Sequence, residues 1–182
     1  SIHAVLDRYD MKLVDCMHSP IHGGTMIYIG KFKDDQTQPH TRVDNSLALE
    51  KDMHRPEFYR EFISHNRQNK RDLAQLLGIL KSQGAMIHAY GASAKSTTLF
   101  NYYGIDNDMV PVVVDSTITK QGKYIPLVNI KVISEEEAKA NPPDYYLLTI
   151  WNYKDEIIRK VRSCGNQKTK FILPHPKVEI VV

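Results

Sequence analysis

The sequence has little sulfur chemistry: two cysteines in 182 residues, Cys16 and Cys164, in neither a metal nor a redox spacing. A disulfide scaffold and a cysteine-based zinc cluster are excluded, and reduced thiols point to a cytoplasmic setting. Long apolar runs are missing too. The apolar stretch Met109 to Thr119 is interrupted by Asp115 and falls far short of the roughly 20 apolar residues that span a bilayer. Neither sign of charge is in large excess, with 24 basic and 21 acidic residues for a net +3. That dispersed balance predicts no nucleic-acid partner. Ser1 to Asp10 contains no apolar segment of the secretory kind. The chain opens without Met, inside a periodic segment, and reads as a piece of a longer protein. There are no repeats and no low-complexity stretches.

What is present is ordinary globular material: 42% hydrophobic, 9% aromatic and 25% charged residues, enough to bury a sizeable core. Ile2, Val5, Leu6 and Tyr9 recur at helical spacing. Met11 to Met17 alternates as a strand does, Ser19-Pro20 interrupts it, Gly23-Gly24 makes a tight turn, and Thr25 to Ile29 reads as a second strand. Lys33 to Arg42 is a polar loop, and a short helix is expected from Asn45 to Met53. A long helix should begin near Pro56, with Phe58, Phe62, Leu73, Leu76, Leu77 and Leu80 as one apolar stripe and Gly84 at its end.

Beyond Gly84 strands and helices alternate. Met86–Tyr90, Val110–Val114, Tyr145–Ile150 and Lys170–Leu173 read as strands. Helices are expected from Ala94 to Tyr103, after Ser134 with Glu137 in capping-box spacing, and from Asn152 as cap to Arg162. Lys120–Ile130 is a loop. The predicted class is α/β: a Rossmann-like parallel sheet with helices on both faces, preceded by a helix, a β-hairpin fragment and a long helix. The corresponding division is 1–31, a helical connector 32–84, and a Rossmann-like domain 85–182.

In such sheets ligands bind beyond the carboxyl ends of strands. Those ends are Gly91-Ala92-Ser93, Asp115-Ser116, Trp151-Asn152 and Pro174-His175. A glycine turn from strand into helix offers outward N–H groups to an anion, and Lys95 adds positive charge; the plainer alternative is a packed strand–helix turn with Lys95 in water. Ala94 stands where a phosphate-binding P-loop needs Gly, and Ser93 and Ser96 where the dinucleotide fingerprint needs Gly. Asp115 could hold a ribose, as an acid about 20 residues beyond such a turn does, or could simply fix a loop. His18 and His22 flank Pro20 and are no zinc pair; His22, beside two glycines, is either structural or close to a ligand. Trp151-Asn152-Tyr153 could pack a sugar or base, or belong to the core.

Taken in order, several segments resemble one family. Ile21-His22-Gly23-Gly24-Thr25 is similar to its His-Gly-Gly-Ser motif, and Ala89-Tyr90-Gly91-Ala92-Ser93-Ala94-Lys95 to its Tyr-Gly-Ala-Ser-x-Lys loop. Asp115 with Lys120-Gln121-Gly122-Lys123-Tyr124-Ile125-Pro126, then Pro143-Asp144-Tyr145-Tyr146, then Trp151-Asn152-Tyr153-Lys154-Asp155-Glu156-Ile157 resemble its remaining motifs. The family is the C-terminal domain of S-adenosylmethionine-dependent C-methyltransferases, including those acting on nucleotide-linked deoxysugars. The resemblance covers nearly the whole chain. Thr25 departs by replacing Ser, and Leu127-Val128-Asn129-Ile130-Lys131 stand where the family has Gly and a further Ile-Pro.

The resemblance implies a substrate-binding part of an enzyme whose methyl donor, S-adenosylmethionine, is bound mainly by an upstream domain. Residues 1–31 would be that domain's closing helix and strands. The fragment alone would be inactive. It implies a nucleotide-sugar partner contacted by Gly91, Ser93, Lys95, Asp115, Lys120, Tyr124, Trp151 and Asn152, no metal in this chain, and His22 as its one candidate near the reacting centre. The competing readings are a Rossmann-like binding or scaffold module without catalysis and, less well supported, an NAD oxidoreductase.

Overall fold

A computed structural model describes residues 2–182, which fall into two compact units, one up to Ile63 and one over Ser64–Val182. The first is built from α1 (Ile2–Arg8), β1 (Met11–Ser19), β2 (Thr25–Phe32) and α2 (Thr41–Glu50). β1 and β2 form an antiparallel hairpin with a register shift between Leu13 and Asp15. Its connection needs left-handed backbone at three successive residues, His22 (φ 58°), Gly23 (85°) and Gly24 (123°), which two glycines supply without strain. The core of this unit is small: Leu13, Cys16 and Val43 are buried, with Leu6 and Met26 packed on them. A fork of hydrogen bonds from Arg42 to the Asp15 carboxylate, 3.0 and 2.6 Å, ties α2 to β1.

The second unit receives α3 (Arg60–Ser82), which starts in the first. It continues through β3 (Ile87–Tyr90), α4 (Ala94–Tyr103), β4 (Val112–Val114), β5 (Lys131–Ile133), α5 (Glu135–Ala140), β6 (Tyr145–Leu148), α6 (Lys154–Ser163), β7 (Lys170–Leu173) and β8 (Glu179–Val181). The six strands lie in the order β5-β4-β3-β6-β7-β8, parallel except for β8 at the edge. The two-residue alternation of a strand divides the core. Ile87, Ala89, Val113, Leu147 and Ile172 meet Leu73, Leu77 and Leu80 of α3 and Leu99 and Phe100 of α4. Tyr90, Val114, Tyr146, Leu148 and Phe171 meet Ala138 of α5 and Ile157 and Val161 of α6. Both faces are thus covered, the architecture expected from the sequence, with an antiparallel edge strand added.

Several local expectations are corrected. The helix read at Asn45–Met53 starts earlier, at Thr41, because the His40 ring accepts the Arg42 N–H at 3.2 Å and caps it. Pro56–Tyr59 forms a separate 3₁₀ turn before α3, and Phe58 and Phe62 of the expected stripe are exposed. Only Val112–Val114 of the Val110–Val114 run pairs as a strand. Asn152 is not a helix cap. It sits in the 3₁₀ turn Trp151–Tyr153, and α6 starts at Lys154 with no side-chain cap at Tyr153. β5 and β8 lie in segments without strand periodicity.

Candidate functional site

β3 is followed by neighbours on one side of the sheet, β4 and β5, and β6 by neighbours on the other, β7 and β8. The chain leaves β3 toward α4 on one face and leaves β6 toward α6 on the opposite face. The two exits lead to opposite faces, so the carboxyl ends of β3 and β6 mark the switch point, the crevice position at which doubly wound sheets bind ligands.

The crevice walls are held firmly. Gly91 has φ 102°, and a Cβ there would lie 2.6 Å from Ile150, so only glycine lets the two exits approach this closely. The buried Thr149 hydroxyl is shared between the Tyr90 and Gly91 carbonyls at 2.8 and 2.5 Å. Ser93 caps α4 in a reciprocal box: Ser96 N–H donates to the Ser93 hydroxyl at 3.3 Å, and Ser93 N–H to the Ser96 hydroxyl at 2.8 Å. This fixes where Lys95 emerges.

Lys95 crosses the crevice. Its Nζ donates to Asn152 Oδ1 at 2.8 Å and lies 5.2 Å from the centre of the Trp151 ring, a cation–π contact. Trp151 also packs on His175, ring centres 5.3 Å apart, and His175 meets His65 of α3 edge-on at 6.5 Å. The Pro176 carbonyl accepts from the buried Asn69 amide at 2.7 Å, and His65 Nε2 lies 2.6 Å from the same oxygen, which anchors the segment after β7. Burial, then His65, then Lys95 hold the His175 pKa below its ordinary value. It presents a neutral ring at pH 7 beside a cationic ammonium.

A second group of residues stabilises the turn itself. Asp115 accepts the Ala92 N–H at 2.7 Å and the Thr117 N–H at 2.8 Å. Lys120 Nζ donates to the Ala92 carbonyl at 2.7 Å and reaches Asp115 at 3.3 Å. Burial opposes the Asp115 charge, but the Thr117 and Ala92 hydrogen bonds and Lys120 overcome it, leaving its pKa below the ordinary range. The protein's own carboxylate therefore occupies the Ala92 amide. Tyr124 stands on the exposed loop beyond, bridged to Lys131.

His22 lies in the first unit, in the left-handed turn between Pro20 and Gly23. The Thr25 hydroxyl closes this turn on the Ile21 carbonyl at 3.1 Å. Of the residues read from the sequence, Gly91, Ser93, Lys95, Asp115, Lys120, Trp151 and Asn152 come together at one end of the sheet. His175, at a strand end marked in the sequence, joins them, together with His65 and Asn69, which no motif announces. Among the described residues, no three His, Cys, Asp or Glu side chains cluster closely enough to hold a metal ion.

The fold is that of a Rossmann-like α/β domain in which a carboxylate-tied turn stands in place of the usual glycine fingerprint. The chain belongs to the C-methyltransferase C-terminal domain family, whose sequence model matches residues 20–176. It is similar to the C-methyltransferase NovU of Streptomyces niveus, with 27% identity over 183 residues that take in 100% of this chain. It spans 44% of that relative's length.

Proposed function

We propose that this domain holds and orients the acceptor of an S-adenosylmethionine-dependent C-methyltransferase, and that the acceptor is a nucleotide-linked sugar. The observation that carries this reading is the placement of Lys95, bonded to Asn152 and seated over Trp151 at the switch-point crevice. An ammonium can hold a diphosphate by charge-assisted hydrogen bonds. The faces of Trp151 and His175 suit a flat base or the apolar side of a sugar. Lys95, Trp151 and Asn152 are assigned to contact the acceptor. Gly91, Ser93, Asp115 and Lys120 position the turn from which Lys95 projects, and Tyr124, on the exposed loop beyond, is assigned to contact the acceptor as well.

C-methylation removes a proton next to a carbonyl and directs the resulting electron pair at a methyl carbon. Much of its acceleration comes from orientation. S-adenosylmethionine supplies the electrophilic methyl group. The Gly91 turn does not fit this donor, because Asp115 already occupies the Ala92 amide and Ile150 fills the space above Gly91. The donor is therefore assigned to an upstream domain, of which residues 1–31 form the closing helix and hairpin. His22 is assigned to the neighbourhood of the reacting centre, and the role of base is not assigned to it. The isolated chain is expected to bind the donor poorly and not to methylate. A cytoplasmic location accords with this biosynthetic role.

Calorimetry with nucleoside diphosphates and nucleotide sugars tests the assignment. The chain joined to its donor domain should bind at millimolar ligand or better, and Lys95→Ala should weaken binding at least about tenfold at unchanged melting temperature. Absence of heat in the joined protein would refute the acceptor role. Full affinity in a folded Lys95→Ala variant would favour the scaffold reading.

A further inference from the structure

The opposite face of the sheet carries a cavity that the crevice does not use. α5 spans only Glu135–Ala140, and the chain after it runs through Pro142-Pro143 into β6. The sheet between α5 and α6 is consequently left open as a trough of about 470 Å³, within the range of small-molecule sites. Its walls include Val114, Ala138, Pro142, Pro143 and Val161. Tyr90 and Tyr146 also line it, their rings T-shaped at 5.4 Å. Tyr146 is in turn stacked on Phe171 at 6.2 Å. Burial pushes the Tyr146 hydroxyl up to about 12, so this ring stays neutral at working pH.

The charges around the trough are unevenly satisfied. Glu135 accepts from the Tyr90 hydroxyl and from Lys160 Nζ, both at 2.6 Å. Asp144 accepts the Met86 N–H at 2.8 Å. Glu135 is thus paired with Lys160, whereas Asp144, Lys139 and Lys168, also in the lining, stand in no ion pair among the described residues, and three lysines face two carboxylates. The turn that carries Lys168 is fixed. Asn166 Oδ1 accepts the Lys168 and Thr169 N–H groups at 3.2 and 3.1 Å, and Arg162 donates to the Asn166 and Thr169 carbonyls at 2.8 and 2.9 Å. A trough with an aromatic floor and one ammonium more than its carboxylates complements a flat ring that bears one negative group.

We infer that the trough between α5 and α6 is a second ligand site, for a small aromatic anion, separate from the switch-point crevice. The ring lies against Tyr90 and Tyr146, and the anionic group faces Lys139 and Lys168. Cys164, in the lining and exposed, reports occupancy, and buried Cys16 is the internal control.

The test uses the 182-residue chain and 2-naphthoate as probe. Saturable amide shifts are expected at Ala138, Gly165 and Thr169, together with several-fold slower alkylation of Cys164 by iodoacetamide. Neutral 2-naphthamide should bind at least about fivefold more weakly, and so should 2-naphthoate to the folded double variant Lys139→Glu, Lys168→Glu. Failure to saturate at millimolar probe, equal binding of the neutral amide, or shifts centred on Trp151 and Lys95 would each overturn the inference. None of these results bears on Lys95→Ala and nucleotide-sugar binding, so the two assignments fail separately.

Discussion

The two units solve the same problem unequally. The unit over Ser64–Val182 encloses a six-stranded sheet between helices and buries Phe100, Phe171, Leu73 and Leu147 completely. The first unit has two strands, four buried apolar residues among those described, of which Leu13, Cys16 and Val43 cluster with Leu6 and Met26 leaning on them, and a hairpin that leaves Ile21, Ile27, Ile29 and Phe32 exposed. A two-stranded hairpin is marginal alone and gains stability by joining a larger sheet or packing a face. The contrast teaches that the two units of this chain differ sharply in how much apolar core each encloses. That accords with the assignment of its first strands to a donor domain.

The sharpest way to break that contrast is a large-to-small substitution in each core. Phe100→Ala should cost about 3–5 kcal/mol, and Leu13→Ala no more than about 2 kcal/mol, because a thin cluster relaxes around the gap. Hydrogen exchange read separately over β3/β6 and β1/β2 checks this. Equal losses would mean the hairpin is as well packed as the sheet. Gly91→Ala comes next, at about 2–3 kcal/mol from steric overlap with Ile150 and the positive φ. Adding Ile150→Ala should recover the steric part only. Urea denaturation of the single and double variants gives both numbers.

Acid distinguishes the units more gently. The Asp115 and Glu135 pKa values are lowered against burial, Asp115 by the Thr117 and Ala92 hydrogen bonds and Lys120, Glu135 by Lys160 and Tyr90. A carboxylate with a depressed folded pKa contributes stability above its unfolded value, about 4, and that contribution disappears as pH falls through the folded pKa. The second unit should weaken below about pH 4, and Asp115→Asn should flatten that decline. In the first unit, Asp7 and Asp15 are lowered chiefly by exposed partners, Lys33 and Arg42. Its acid dependence should largely vanish in about 1 M salt while that of the second unit persists. Acid titrations of exchange rates at two salt concentrations separate these outcomes. Smallest of all, Ile27→Thr on the exposed hairpin should change the stability of this chain by less than about 0.5 kcal/mol. A larger loss, measured by thermal melting, would show that the face is already covered.

The sequence made the second unit legible where local signals and tertiary packing agree. α4 and β7 fall on the expected residues, and Ser134 and Glu137 form the capping box their spacing announces. It hid β5 and β8 because three-residue strands have no period to read, and β5 sits at the end of a polar loop. Asn152 misled because an Asn followed closely by acids is a helix-start pattern, and only the fold reveals that its side chain serves Lys95. At the site, Asp115 followed the loop-fixing alternative read from its position. His65, Asn69 and His175 converge from α3 and the end of β7, and no spacing along the chain records that meeting. The trough depends on the shortness of α5, a matter of what the fold leaves uncovered.

The Thr149 hydroxyl, placed between two carbonyls of the opposite strand exit, acts as a rivet. Widening the gap at that end of the sheet would strip a buried donor and two acceptors of their partners at once. The gap thus has a fixed gauge in the empty protein, and under the acceptor-holding role proposed above, discrimination between bulkier and slimmer acceptors should precede any closure around the cargo.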